Sequence, residues 1–277
     1  MTNKHPIGIF DSGYGGLTVF KSIAERLPQY DYIYLGDNAR APYGDNSFEA
    51  IYQYTLECVE WLFSEGCQLV ILACNTASAK ALRTIQQKVL PVKYPTHRVL
   101  GVIRPTAEVI GNFTESKIIG VMGTRGTVNS ESYLLEINKY FPEVSVYQQS
   151  CPMWVPLVEN NEHLTPGADF FVEKYLTELL NQNPKIDTIL LACTHYPLLI
   201  PKIKRILSNK ILLVGQGDIV SSSLERYLDH HIKIKELLAI NAKRSFYTTG
   251  DQHVFDEHAS VFFGDQIFCK HIDLKEQ

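Results

Sequence analysis

Two apolar runs that each end in a cysteine constrain the fold of this 277-residue chain more than any other feature. The segment LACNT occupies residues 72–76, and the similar segment LACTH occupies residues 191–195. A second pair precedes them in the same order, because IGIFDSG at residues 7–13 resembles IGVMGTR at residues 119–125. Two strand-end loops that recur at nearly constant separation predict an internal repeat, and therefore two similar lobes.

The rest of the chain alternates short apolar runs with longer helical patterns. This predicts an α/β fold of two Rossmann-like lobes with mostly parallel sheets. Such sheets bind ligands beyond the carboxyl ends of their strands, so the predicted active site lies in the interlobe cleft. The predicted strands are Ile7–Phe10, Tyr32–Leu35, Leu69–Leu72, Val99–Ile103, Ile118–Met122, Ser145–Gln148, Thr188–Leu191 and Ile211–Val214. The predicted helices are Gly16–Leu27, Ser47–Glu65, Thr76–Val89, Ser130–Tyr140, Ala168–Asn181 and Ile200–Ser208.

The composition is that of an ordinary globular protein, with 45% hydrophobic and 20% charged residues. The formal net charge of −4 lacks the basic excess typical of nucleic-acid binding. No apolar run approaches the ~20 residues needed to cross a bilayer, and the first residues show no apolar signal region. We therefore expect a cytoplasmic protein with neither a nucleic-acid nor a membrane partner.

A cytoplasmic location implies that the six cysteines are free thiols rather than disulfides. The sequence contains no C-x-x-C pair, and nothing in the spacing favours a metal site. Cys58, Cys67 and Cys269 are expected to be inert core residues. Cys74 and Cys193 differ from them because each directly follows a strand-like apolar run, Leu69–Ala73 for the first and Thr188–Ala192 for the second.

Cys74 lies between a buried strand and a helical pattern that starts at Asn75 and Thr76, two common N-cap residue types. Free backbone N–H groups and the helix dipole stabilise anions at such a position. The sequence therefore predicts a thiol whose pKa is lowered from ~8.5 towards neutrality. Considered alone, the segment fits better a packed, unreactive cysteine before a capped helix.

Cys193 takes the corresponding place in the second lobe, where Thr194 and His195 follow it. The histidine is a candidate base or orienting group, although a lone histidine is more often structural. Pro197 suits the first turn of a following helix. The similar loop around Cys74 favours the catalytic interpretation, because both thiols would then face one cleft.

Two thiols in one site suit a reaction that removes the α-proton of an amino acid and returns a proton to the other face. One sulfur must begin as thiolate and the other as thiol, and the roles exchange with the handedness of the substrate. General acid–base groups work best with pKa values near the operating pH. A nucleophile–histidine hydrolase would use one cysteine and leave the other unexplained.

Three further loops carry candidate binding groups. FDSGYGG at residues 10–16 is rich in glycine but does not match G-x-G-x-x-G, so a dinucleotide site is not predicted. Asp11 in this loop is a candidate partner for a substrate ammonium or a thiol, or else a turn residue. PYG at residues 42–44 and GTRGT at residues 123–127 offer further donors. Arg125 is either a carboxylate clamp or a solvated loop residue.

Together these segments resemble the cofactor-independent aspartate/glutamate racemase family. The resemblance runs from residue 7 to about residue 199 in the family order. ACNTASA and ACTHYPLL are specific in combination, whereas either glycine-rich loop alone would be weak. The matching segments are IGIFDSGYGGLTV, LGDNARAPYG, ILACNTASA, GVMGTRGTVNSESY, CPMWVPLVE and LLACTHYPLL.

The resemblance implies that the second lobe is inserted into the first. The expected first lobe comprises residues 1–98 and 211–277, and the expected second lobe comprises residues 99–210. At two places the chain departs from the family pattern. Thr106 stands where the family usually has glycine, and VGQGD at residues 214–218 matches its counterpart loosely. These departures bear on lobe packing or regulation, since neither belongs to the expected catalytic set.

The resemblance also implies the roles of individual residues. Cys74 and Cys193 would be the two acid/base groups, acting on the D- and the L-enantiomer respectively, with Asp11 and His195 assisting. Glu159 matches a family carboxylate near the second thiol. The implied substrate-binding residues are Asp11, Ser12, Pro42, Tyr43, Gly44, Asn75, Thr76, Thr124, Thr127, Thr194 and His195.

The implied activity is interconversion of L- and D-glutamate by two-cysteine proton transfer, without a cofactor or a metal. It would supply D-glutamate for peptidoglycan biosynthesis, and family members are usually homodimers. Aspartate or another amino acid is an alternative substrate, because side-chain reach rather than the catalytic residues separates the candidates. A non-catalytic amino-acid-binding protein is the alternative from another class.

Overall fold

Two parallel β-sheets form the centre of the molecule in the computed structural model, which describes residues 4–207 and 209–274. Every strand pairing within them is parallel. The strands are β1 (Ile7–Asp11), β2 (Tyr32–Gly36), β3 (Leu69–Leu72), β4 (Arg98–Gly101), β5 (Ile118–Gly123), β6 (Ser145–Ser150), β7 (Thr188–Ala192), β8 (Leu212–Val214), β9 (Arg244–Thr248) and β10 (Cys269–His271).

Helices connect the strands, and among the described residues none is long and apolar enough to span a membrane. The α-helices are α1 (Leu17–Arg26), α2 (Phe48–Ser64), α3 (Asn75–Lys80), α4 (Leu82–Thr84), α5 (Leu90–Lys93), α6 (Ile103–Ala107), α7 (Arg125–Asn129), α8 (Ser132–Tyr140), α9 (Trp154–Glu159), α10 (Pro166–Gln182), α11 (Ile200–Ile206), α12 (Gly217–His230), α13 (Ile232–Lys235) and α14 (Gln252–Phe263). Shorter turns are the 3-10 helices Asn38–Arg40, Tyr43–Asp45, Ile110–Phe113, Glu162–Leu164 and Tyr196–Leu199, and the π-helical turn Ile85–Val89.

The two sheets repeat one strand order. The larger sheet runs β10-β9-β2-β1-β3-β4, and the smaller runs β6-β5-β7-β8. Four consecutive strands of the larger sheet therefore correspond in order to the whole of the smaller one. The register agrees as well, because Ile7 pairs with Leu69 in β3 and the equivalent Ile119 pairs with Thr188 in β7. The predicted α/β fold with two similar lobes is confirmed.

Alternation along the strands of the larger sheet explains its burial on both faces. In β3, Leu69 and Ile71 pack into one hydrophobic cluster, while Val70 and Leu72 pack into another. Successive side chains of a strand point to opposite faces, so helices must cover both. The continuous apolar character of these strands follows from that double burial. Polar residues are consequently concentrated at the strand ends.

The strands next to the expected lobe boundaries pair across them. β4 pairs with β3 in the larger sheet, although residues 99–101 fall within the predicted second lobe. β8 pairs with β7 in the smaller sheet, although residues 212–214 fall within the predicted first lobe. The chain therefore crosses between the sheets after β4 and after β8. The division at residues 98 and 211 remains a prediction, and strand pairing favours moving both boundaries a few residues towards the C-terminus.

Three details of the predicted secondary structure are wrong. The strand expected to reach Ile103 ends at Gly101, and α6 begins at Ile103 because Pro105 is tolerated in a first helical turn. The helix expected over Thr76–Val89 is interrupted at Ala81 and ends in a π-helical turn. Two C-terminal strands, β9 and β10, were not predicted. Ser208, the expected end of α11, lies outside the described residues.

Candidate active site

One cleft receives the segments that follow β1, β2, β3, β5, β6 and β7. Its volume is about 610 Å³ including the open mouth. Most of the predicted site residues meet there, whereas Asp11 and Thr127 lie behind the lining. The lining residues are Ser12, Pro42, Tyr43, Gly44, Asp45, Cys74, Asn75, Thr76, Thr124, Arg125, Cys151, Pro152, Val155, Pro156, Glu159, Cys193, Thr194 and His195.

Cys74 lies two residues beyond the end of β3 and caps α3 with its own side chain. Its Sγ atom accepts the backbone N–H of Ala77 at 3.5 Å and lies 3.5 Å from Ser12 Oγ. Asn75 and Thr76, the expected cap residues, are instead the first two residues of the helix. The predicted position between strand and helix is therefore correct, but the capping group is the thiol itself.

The expected lowering of the Cys74 pKa is wrong. Burial of the thiol, followed by the negative charge of Asp11, raises its pKa to about 12. The Ser12 hydroxyl and the Ala77 amide favour the thiolate but are outweighed. α3 has six residues, so the dipole behind the sulfur is small. At neutral pH and without substrate, Cys74 is consequently a thiol.

Cys193 follows β7, but its loop differs from that of Cys74. The chain turns into a 3-10 helix at Tyr196, and an α-helix begins only at Ile200. His195 Nδ1 lies 3.9 Å from Cys193 Sγ, within the range of a sulfur hydrogen bond. The ionisable side chain of His195 therefore lies next to Cys193, whereas the N-terminus of α3 lies next to Cys74.

His195 is held on its other side by Glu159. Its Nε2 atom lies 3.0 Å from Glu159 Oε1, and the imidazole is buried. Burial by itself would lower the pKa of His195, but the contacts with Cys193 and Glu159 outweigh it and raise the pKa to about 10. The imidazole is therefore protonated at neutral pH. A cation beside Cys193 Sγ stabilises negative charge on that sulfur.

Asp11 ends β1 and is completely buried. Its Oδ2 atom accepts the backbone N–H of Gly13 at 3.0 Å. Burial raises the pKa of Asp11 more strongly than His195 and the loop amides lower it. A carboxylate with a raised pKa is a better proton acceptor, and its charge opposes a thiolate at Cys74. This placement agrees with the expected assistance to Cys74.

The glycine-rich first loop packs directly against the Cys193 loop. Thr18 Oγ1 donates a hydrogen bond to the carbonyl of Thr194 at 2.9 Å. A Cβ atom on Gly15 would lie 2.3 Å from Thr194 Oγ1, closer than nonbonded atoms approach. Glycine at position 15 is therefore required for the two loops to meet.

The loop after β2 is anchored by a buried carboxylate, Asp37, which was not among the predicted site residues. Asp37 accepts hydrogen bonds from Tyr43 Oη, from Arg40 Nε at 2.7 Å and from Thr249 Oγ1 at 2.7 Å. The Tyr43 hydroxyl is thereby directed to Asp37. The segment LGDNAR contained the signal, because a charged pair directly after an apolar strand needs a partner when it is buried. The loop as a whole positions Pro42, Tyr43 and Gly44 on the cleft wall.

Three threonines join the two halves of the site. Thr76 Oγ1 lies 2.9 Å from Thr124 Oγ1 and 3.4 Å from Thr127 Oγ1. Thr124 caps α7 by accepting the N–H of Thr127 at 3.2 Å. Thr127 supports the other two hydroxyls from behind the lining.

The mouth of the cleft is bridged by charges. Arg125 Nη1 lies 3.2 Å from Asp45 Oδ1, and both side chains are more than half exposed. The guanidinium is thus engaged with Asp45, which agrees with a solvated loop residue. Cys151 also lines the cleft, although the sequence had not given this cysteine a role.

All six cysteines are buried free thiols. Within residues 4–207 and 209–274, no three His, Cys, Asp or Glu side chains are grouped so that they could hold a metal ion. The ionisable side chains grouped around the two sulfur atoms of the cleft are Cys74, Cys193, His195, Asp11 and Glu159. These are proton-transfer groups, arranged around two sulfur atoms.

The family model described as Asp/Glu/hydantoin racemase matches residues 7–216, which include every loop of the cleft. The chain belongs to this family. The match covers both repeated segments, so the likeness includes both thiol loops. It ends at Gln216, beyond which the racemase chain returns to the larger sheet through β9 and β10.

Several relatives of this racemase chain are similar over nearly their whole length. A glutamate racemase of Sulfurihydrogenibium is 40% identical over 272 residues and covers 98% of both chains. The solved structure of a glutamate racemase isoform from Bacillus anthracis has a TM-score of 0.88 at 34% identity, with 98% of both chains covered. The glutamate racemase from Francisella tularensis, solved in complex with D-glutamate, has a TM-score of 0.87 at 30% identity and full coverage of both chains.

Proposed function

We propose that this chain is a glutamate racemase that interconverts L- and D-glutamate by two-cysteine proton transfer. The observation that carries the proposal is the meeting of Cys74 and Cys193 in one cleft from equivalent strands of two repeated sheets. A reaction that inverts a carbon centre needs one proton-transfer group on each face. The duplicated strand-end loop supplies both.

Conversion of L-glutamate requires Cys193 as the thiolate and Cys74 as the thiol. The protonated imidazole of His195 lies beside Cys193 Sγ and counters negative charge that forms there, while burial raises the pKa of Cys74 and keeps it a thiol. The Cys193 thiolate removes the α-proton of L-glutamate, and the C–H electron pair remains on the planar carbanion. Cys74 then donates its S–H proton to the opposite face. The products are D-glutamate, a Cys193 thiol and a Cys74 thiolate, and the reverse reaction retraces these steps.

Asp11 and His195 assist opposite thiols in this scheme. Asp11, with its raised pKa, accepts a proton when Cys74 must become the thiolate for D-glutamate. His195 balances the charge of the Cys193 thiolate, and Glu159 fixes the imidazole orientation. Substrate groups are held by hydroxyls, amides and backbone N–H groups of the cleft. Those residues are Ser12, Pro42, Tyr43, Gly44, Asn75, Thr76, Thr124, Thr194 and His195, and Thr127 supports the hydroxyls of Thr76 and Thr124 from behind the lining.

Glutamate is the substrate because the relatives that cover nearly the full chain are glutamate racemases, one of which is solved with D-glutamate. D-Glutamate would enter peptidoglycan biosynthesis. We further propose that the protein is a homodimer, as members of the family usually are, and that it is located in the cytoplasm.

Circular dichroism of purified protein with L-glutamate, D-glutamate and both enantiomers of aspartate tests the substrate. We expect loss of optical activity with either glutamate enantiomer, and far slower change with aspartate. If aspartate is turned over faster than glutamate, aspartate is the substrate and the proposal of glutamate is wrong.

Deuterium incorporation at the α-carbon tests the chemistry. In D₂O the intact protein should exchange the α-proton of glutamate during turnover. Binding without any exchange would leave a non-catalytic amino-acid-binding protein as the better description. Activity that disappears after chelator treatment and returns with added metal would contradict a mechanism by thiols alone.

A further inference from the structure

Asn75, between Cys74 and Thr76, has both ends of its carboxamide held from behind. Its Nδ2 atom donates to Gln216 Oε1 at 2.7 Å, and its Oδ1 atom accepts from Tyr133 Oη at 2.6 Å. The side chain lines the cleft and is 3% exposed. Because Nδ2 carries two hydrogens, one N–H remains for a cleft ligand.

Gln216 closes these contacts into a ring. Its Nε2 atom donates to Tyr133 Oη at 2.6 Å, while its Oε1 atom receives the hydrogen of Asn75. Donors therefore run in one sense through Asn75, Gln216 and Tyr133, and back to Asn75. A ring of this kind holds both amide planes in place, because each amide is hydrogen-bonded at both of its ends. Bonds that run in one sense also polarise and strengthen one another.

Thr106 supplies the last acceptor. Gln216 Nε2 donates its second hydrogen to Thr106 Oγ1 at 2.9 Å, and the Thr106 hydroxyl donates to the carbonyl of Val102 at 2.8 Å. Thr106 and Gln216 are completely or almost completely buried. Glycine at position 106, the usual residue in the resembling family, would leave the Gln216 amide short of a good partner. The two departures of this chain from the family pattern are therefore one structural unit.

The ring also lies where the chain changes sheets. Thr106 belongs to the crossover that leaves β4, and Gln216 belongs to the crossover that leaves β8. Both crossovers are thus connected to the residue next to Cys74. A change in the relative placement of the sheets would have to break or stretch these bonds.

We infer that Gln216 and Thr106 are positioning residues that orient the Asn75 carboxamide for substrate binding. This inference rests on the proposed substrate-binding role of Asn75. Gln216 acts through Asn75 and Tyr133 and is assigned no contact with the reacting atoms. The site of action is the ground-state complex, so the Michaelis constant should respond more than the turnover number.

The principal test compares Gln216→Met with Gln86→Met. Methionine keeps the length of glutamine but removes its donors and acceptor. Gln86 is a matched control, because it makes one hydrogen bond, to the carbonyl of Val99 at 2.8 Å, and does not line the cleft. We expect Gln216→Met to raise the KM for both glutamate enantiomers about tenfold and to change kcat less than threefold. Gln86→Met should leave both constants within twofold of the wild type.

Thr106→Val provides a milder variant of similar shape, in case Gln216→Met does not fold. It removes only the outer acceptor, and we expect a KM increase of about threefold. Tyr133→Phe combined with Gln216→Met should raise KM no further than the larger single effect, because both changes break one ring.

Asn75→Ala separates two kinds of failure. If its KM equals that of the wild type, the binding role of Asn75 is wrong. If Asn75→Ala raises KM while the folded Gln216→Met and Thr106→Val proteins keep wild-type KM values, the positioning inference alone is overturned. A fall in kcat at unchanged KM for Gln216→Met would likewise overturn it.

Discussion

The loops around Cys74 and Cys193 follow equivalent strands, yet they surround their sulfur atoms with different chemistry. Cys74 is contacted by the neutral hydroxyl of Ser12 and a backbone amide. Cys193 is contacted by His195, which carries a proton at neutral pH. Duplication of a backbone therefore preserved the position of the thiol and left its ionisation to be set by neighbouring side chains. One sulfur is supplied with a cation, and the other with a buried carboxylate at Asp11.

Removal of either thiol is expected to have the largest effect. Cys74→Ala and Cys193→Ala should each reduce racemisation by about 10³-fold or more, since each removes a general acid–base group. The variants should differ in α-proton exchange with D₂O, measured by NMR. Cys74→Ala should still exchange the α-proton of L-glutamate, and Cys193→Ala that of D-glutamate. Equal exchange of both enantiomers by one variant would contradict thiols that each serve one face.

Replacement of His195 tests the cationic side of the comparison. His195→Gln should reduce turnover by about 10²-fold, because proton transfer at Cys193 loses its charge partner. The substrate isotope effect should increase with α-deuterated L-glutamate, from which Cys193 removes the proton, and stay small with D-glutamate. Glu159→Gln is the companion variant and should show the same pattern more weakly. An equal increase of the isotope effect for both enantiomers would show that His195 does not act specifically on Cys193.

The ionisation of His195 can be followed directly. Its folded-state pKa of about 10 lies above the ~6.5 of an unperturbed histidine. The stability it contributes is therefore fully present below pH ~6.5 and is lost as the pH rises through about 10. NMR titration of the imidazole should give a midpoint near 10, and unfolding measurements on His195→Gln should lack the alkaline decline of the wild type. A midpoint near 6.5 would show that His195 is largely neutral at pH 7, so the Cys193 loop would not carry the positive charge that distinguishes it from the Cys74 loop.

Ser12→Ala tests the neutral side and should have a smaller effect. Loss of one hydrogen bond near Cys74 Sγ costs about 1 kcal/mol, or roughly a fivefold fall in turnover. The isotope effect should now increase with α-deuterated D-glutamate, which reverses the pattern of His195→Gln. Ser22→Ala, in the following helix α1 and outside the cleft lining, serves as a control. If Ser12→Ala and His195→Gln affect the same enantiomer, the assignment of partners to thiols is wrong.

The smallest effect is expected at the mouth of the cleft. The ion pair between Arg125 and Asp45 is exposed, and such pairs contribute about 0–1 kcal/mol. Arg125→Ala should change KM less than about threefold and leave the isotope effects of both enantiomers unchanged. A larger change that disappears at high salt would instead indicate that Arg125 attracts the substrate carboxylates.

Local pattern explains why much of this molecule could be predicted. All eight predicted strands are present, because apolar runs such as Leu69–Leu72 are buried on both faces and lack polar alternation. β9 and β10 escaped prediction because RSFYT at residues 244–248 mixes polar and aromatic residues and CKH at residues 269–271 is short. β10 is the edge strand of the larger sheet and β9 lies next to it, between β10 and β2.

The sequence predicted which residues meet in the site, but it did not predict the direction of their pKa shifts. The repeated loops brought Cys74, Cys193 and His195 together as expected. The sign of the Cys74 shift could not be read from sequence, because it depends on complete burial and on Asp11, more than sixty residues away in the chain. The same holds for Gln216, which reaches Asn75 across 141 positions of sequence. Non-local polar contacts leave no periodic signal.

The unequal surroundings of the two sulfur atoms cannot tilt the reaction itself. Mirror-image amino acids have identical free energies in water, so their equilibrium ratio is one for this protein and for every variant. By the Haldane relation, kcat divided by KM must then be the same in both directions. The cation at one thiol and the carboxylate near the other can decide which protonation form of the free enzyme accumulates between turnovers. A racemase can thus have two chemically different thiol environments and still bring its two products to equal concentrations at equilibrium.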